Sequence, residues 1–138
     1  MTVREDGAPW WRGPLVWRGG LALVFAVAHA ISHVRLGHSV DLLWACNVAP
    51  FLIGIGCLLE RRWLVAMGFV WLSYGTPMWL LDLAAGGEVM VTSFATHLGG
   101  LWLAGGALRR LGMPARAWLG ATVAIVGLML FCRWSTPP

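Results

Sequence analysis

The chain is 138 residues long; 59% of it is apolar or aromatic and only 12% is charged, against roughly a quarter in a soluble domain. So few polar residues cannot cover a water-facing surface, which excludes a soluble globule and points to a bilayer as solvent. The net charge of +4 rests on ten basic residues, all arginine, scattered at segment ends; without a basic patch, a nucleic-acid surface is excluded as well.

Five apolar stretches follow in chain order, bracketed by charge and by Gly/Pro punctuation, at residues 15–34, 40–59, 63–84, 89–108 and 117–132. Crossing a hydrocarbon core of about 30 Å takes about twenty residues, so an all-α bundle of about five transmembrane spans, one membrane domain over 1–138, is expected. Arg4, Arg12, Arg18, Arg61, Arg62, Arg109, Arg110 and Arg116 would fall on one side, and Arg35 and Arg133 on the other. By the positive-inside rule the N-terminus is cytoplasmic and the C-terminus outside. A multi-pass protein of the cell inner (plasma) membrane is therefore expected. A cleaved signal peptide ending at Ala28-His29-Ala30 is the competing account of the first stretch.

Most of the ten tryptophans lie towards segment ends, where amphipathic rings favour the interface; Trp71 is mid-segment and reads as packing. Gly54, Gly56, Gly68 and Gly75 mark places where helices can approach closely. Gly100 with Ala104 and Gly120 with Ala124 form small-xxx-small pairs, suited to packing within the bundle, to self-association or to a membrane partner. Pro50 and Pro77 fall inside spans two and three, where each removes a backbone donor.

Ionisable residues inside a membrane default to functional hypotheses, and the orientation gathers them. His29, His33, His38, Asp41, Cys46, Asn47, Asp82 and His97 all fall towards the outer side. His29 and His33 are four apart and share a helix face; Ser93, His97, Gly100 and Ala104 make a small, polar stripe on span four. Three chemistries fit a shared outer cavity. In the first, Cys46 is a nucleophile, His97 its base, Asp82 or another histidine the orienting group, and Asn47 the nearest oxyanion donor. In the second, His29 and His33 share a metal completed by His97, Cys46 or Asp82, or histidines of spans one and four ligate haem. In the third, the polar groups only hydrogen-bond across helices, the better single-residue reading for His29, His38, Asn47 and Ser93. Cys57 and Cys132 read as packing.

The run Asp41-Leu42-Leu43-Trp44-Ala45-Cys46-Asn47, the segment Gly75-Thr76-Pro77-Met78-Trp79-Leu80-Leu81-Asp82, and Phe94-Ala95-Thr96-His97 together resemble small bacterial membrane proteins of the YwaF type. These are similar to eukaryotic transmembrane cysteine-dependent phospholipid acyltransferases and, more distantly, to androgen-induced lipid hydrolases that pair Thr with His. The resemblance covers residues 40–108 and implies Cys46 as nucleophile, His97 as catalytic histidine, and membrane acyl lipids as substrates and partners, with no cofactor. The chain departs from the pattern in having about five spans where relatives have more, and Asn47 where Asp is usual.

Overall fold

The computed structural model describes residues 13–135, and among these residues there is no strand. Helix α1 (Pro14–Arg35) leads through a 3-10 turn (Ser39–Leu43) to α2 (Ala45–Leu58) and α3 (Arg62–Ala84). Val91–Phe94, a π-turn at Ala95–Gly99 and Gly100–Leu111 follow one another with helical backbone angles at each junction; we treat 91–111 as a single helix, α4. The last helix, α5, is Ala117–Ser135. Arg4, Arg12, Trp10 and Trp11 lie outside the described residues.

The helices stop where backbone geometry lets them. Beyond α1, Gly37 has φ +81°, and the amides of Gly37 and His38 donate back to Val34 O and His33 O. This closure wants a left-handed residue, which glycine supplies without steric cost. The same closure follows α3 at Gly86 (φ +92°), with Gly87 N donating to Asp82 O.

Leu15–Arg35, Arg62–Ala84 and Ala117–Trp134 are long and apolar enough to cross a membrane. The second apolar stretch behaves differently from the continuous span expected over 40–59. Its helix is the 14 residues Ala45–Leu58, about 21 Å at 1.5 Å per residue. Residues 39–43 wind as 3-10, Trp44 is extended (φ −66°, ψ 140°), and the Asn47 amide fastens the turn by donating to Asp41 O at 2.7 Å. The fourth stretch starts two residues later than expected and runs on through Arg109 and Arg110 to Leu111.

Packing relies on small residues. α2 lies against both α1 and α3, and α4 packs on α3 and α1. A Cβ on Gly54 would meet Leu23 Cγ at 2.6 Å, and one on Gly68 would meet Ala49 O at 2.7 Å, so these contacts exist only because a side chain is missing. A Cβ on Gly100 would likewise meet Leu72 Cδ1 at 2.7 Å, and Ala104 is fully buried. That stripe is therefore spent inside the bundle. α5 leans on α3 and is fastened by Trp71, whose indole N–H donates to Ala121 O at 2.9 Å.

The outer surface is apolar. Val24, Ile31, Tyr74, Met78, Leu81, Trp118, Val123, Met129 and Phe131 are all exposed. Such a continuous apolar exterior is costly in water and costs nothing in lipid. Fold and surface together describe an all-α membrane protein.

Candidate functional site

Three of the four histidines are buried inside the bundle: His29, His33 and His97 are at most 5% exposed. They do not face the lipid side. His29 and His33 sit one turn apart on α1 with ring centroids 4.5 Å apart and planes at 81°, their Nε2 atoms 3.1 Å apart. Asn47, from the first turn of α2, places Oδ1 at 3.1 Å from His29 Nε2, and Thr92, from the start of α4, places Oγ1 at 2.9 Å from His29 Nδ1.

The hydrogen bonds determine where protons sit. Asn47 Nδ2 donates to Asp41 O, so its Oδ1 must be the atom facing His29; the reverse orientation would oppose two oxygens. An amide oxygen needs a donor, which assigns the His29 proton to Nε2. Nδ1 then accepts the Thr92 hydroxyl proton, and both ring nitrogens of His29 are engaged.

His97 lies in the π-turn of α4, a local widening that occurs often at functional sites. Its Nδ1–H donates to Ser93 O at 2.9 Å, and its ring stacks on Trp79 at 4.6 Å with planes 9° apart. That bond holds the proton on Nδ1 and leaves the lone pair on Nε2, which is buried without a partner. An imidazole oriented through Nδ1, with a free Nε2, has the arrangement of a general base.

Cys46 lies between two environments. Its Sγ is 3.7 Å from Asn47 Oδ1, at the edge of the polar cluster. On its other side it lines an apolar cavity of about 650 Å³ between α2, α3 and α5, with Trp71, Tyr74, Met78, Ile125 and Met129 among the walls. Cys132 also lines this cavity, while Cys57 is fully buried in the apolar core.

Some expected roles fall elsewhere. No hydrogen bond joins Cys46 to His97 among the described residues. Asp82 is exposed at the end of α3, with its carboxylate beside Gly87, and the group that orients His97 is the Ser93 carbonyl. One N–H of the Asn47 amide is committed to Asp41 O, and its oxygen accepts from the Cys46 thiol at 3.7 Å. For metal ligation, His29 has no free lone pair. The residues whose ligand atoms lie within 4.8 Å of one another are His33, His38 and Asp41.

Sequence reasoning missed Thr92 and Trp79 as partners of the imidazoles. Thr92 is one residue from the Ser93 stripe, and only the register of the α4 start brings it to α1. Trp79 is three residues from Asp82, on a helix with almost no amphipathic signal, so its contact was not marked by pattern.

No family model matches the chain, and no curated protein or solved structure matches it.

Proposed function

We propose that the chain is a five-span protein of a bacterial-type plasma membrane, with its N-terminus cytoplasmic, that transfers or hydrolyses lipid acyl groups through Cys46. The observation that carries this reading is the position of Cys46 at the boundary between an apolar cavity and a buried imidazole cluster. A lipid ester needs both: an apolar volume for the chain, and a thiol with a base near its carbonyl.

In this mechanism, His97 Nε2 accepts the thiol proton as Sγ attacks the ester carbonyl carbon. The tetrahedral intermediate collapses, the C–O bond breaks, and the departing alcohol takes the proton back from His97. The product is a Cys46 thioester. An alcohol or water then attacks it, losing its proton to His97, and the thiolate leaves and is reprotonated. The backbone amides of Ala45 and Cys46, which open α2 ahead of the paired Asn47 and Val48 amides, would supply the donors for the oxyanion. Bringing Sγ to Nε2 requires adjustment of the α2 start against α4, which substrate binding would supply, since catalytic hydrogen bonds often tighten only in the complex.

The test is covalent labelling of the purified chain by a thiol-reactive lipid ester in nanodiscs, read by intact mass. Wild type gains one acyl mass, C57A and C132A still gain it, and C46A does not. Labelling of C46A at the wild-type rate would overturn the proposal.

A further inference from the structure

We propose a second site, independent of Cys46: a divalent transition-metal site of the zinc class at the loop end of α1, with His33, His38 and Asp41 as ligands and Glu88 as the fourth. The closure at Gly37 folds His38 back, its amide donating to His33 O at 2.9 Å. The 3-10 turn then carries Asp41 over the same place, its amide donating to His38 O at 3.1 Å. Residues at i, i+5 and i+8 thus converge although no linear motif marks them.

His33 Nδ1 is 4.0 Å from Asp41 Oδ2, and His38 Nδ1 is 3.9 Å from the same oxygen and 3.8 Å from Glu88 Oε2. Ligands around tetrahedral zinc stand about 3.4 Å apart, as bond lengths near 2.1 Å require. These three edges therefore have to close by about 0.4–0.6 Å, and Glu88, which stands outside the close group of three, has to swing in; the His38, Asp41 and Glu88 side chains are half-exposed.

The second observation is His33 itself. Its side chain is 93% buried, and its Nδ1 has no hydrogen-bond partner although it faces the carboxylate. A buried polar atom left unpaired is costly, and a metal ion would satisfy it. Two imidazoles and two carboxylates suit zinc, and also copper(II) or nickel(II), better than magnesium or calcium.

The experiment titrates the metal-stripped full chain in nanodiscs with Co²⁺, whose tetrahedral complexes absorb strongly in the visible, and then displaces it with Zn²⁺. Wild type should bind one equivalent and give a tetrahedral spectrum. H38A and D41N, both at half-exposed side chains, should each bind at least ~10-fold more weakly with unchanged thermal unfolding of the metal-free protein. C46A should bind as wild type, which separates this site from the acyl-transfer reading. Absence of a tetrahedral Co²⁺ spectrum in wild type, equal affinity in H38A and D41N, or loss of binding in C46A would each overturn the proposal.

Discussion

The Nε2 atoms of His29 and His33, one turn apart on α1, lie 3.1 Å from each other inside the bundle. Two imidazoles that close cannot both point a proton at the gap, so the tautomer of one dictates that of the other. Their surroundings settle the assignment: Asn47 Oδ1 and Thr92 Oγ1 hold His29 from two other helices. One side chain of α1 thus ties together three elements through polar contacts in an otherwise apolar interior.

That tie gives a stability prediction. Interhelical hydrogen bonds in membranes average about 0.6 kcal/mol each, and Asn47 makes bonds to Asp41, His29 and the Cys46 thiol. N47A should therefore cost about 1–2 kcal/mol in unfolding measured in detergent, and T92V, which loses one bond, about 0.5 kcal/mol. An N47A variant as stable as wild type would mean that the network holds nothing in place.

Much of this was legible beforehand because membrane helices announce themselves by length and apolarity. The small-residue positions Gly54, Gly68 and Gly100 were readable for the same reason, since close helix approach demands them. The 3-10 turn before α2 was not readable: Val40, Leu42 and Leu43 are as apolar as a spanning segment, and the turn is held by a contact from Asn47 that composition does not encode. The candidate site was legible as a set of residue types, and the common face of His29 and His33 followed from their spacing of four. The pairings were not, because which imidazole meets which partner depends on helix rotation. The π-turn that aims His97 leaves no pattern in sequence.

On the acyl-transfer reading, His97 and its supports should separate in their effects. H97Q should lower the rate of lipid-ester turnover about 10²-fold or more while leaving Cys46 open to alkylation by a small maleimide. W79A should lower turnover less, through loss of the ring stacked at 4.6 Å, and W79F should retain most of it. S93A should change little, because the group that holds His97 there is a backbone carbonyl. Equal rates in H97Q and wild type would remove the imidazole from the chemistry.

Two glycines offer a packing contrast. A methyl group on Gly68 would press on the Ala49 carbonyl, and backbone cannot yield as a side-chain tip can, so G68A should destabilise by about 1–3 kcal/mol. At Gly127 nothing lies within 4 Å of the added carbon, and G127A should be neutral or slightly stabilising. Both are read from thermal unfolding of the purified chain in one detergent. Indistinguishable midpoints would contradict the close contact of α2 with α3.

The proposed five-span orientation is tested by single cysteines placed in a background where Cys46, Cys57 and Cys132 are serine. S39C and E88C should react with an impermeant maleimide added to intact cells or spheroplasts, whereas R61C and R116C should react only after permeabilisation. Labelling of R61C from outside would reverse the assignment of sides.

α5 is the least embedded of the helices long enough to span, with only 11% of its apolar window buried, and its fastening includes the Trp71 indole on the Ala121 carbonyl. It is also one of the three helices that line the Cys46 cavity. The least embedded of these three helices thus borders the thiol, and on the acyl-transfer reading a hydrocarbon tail arriving sideways would enter by nudging a single rod aside, leaving the histidine-bearing helices undisturbed.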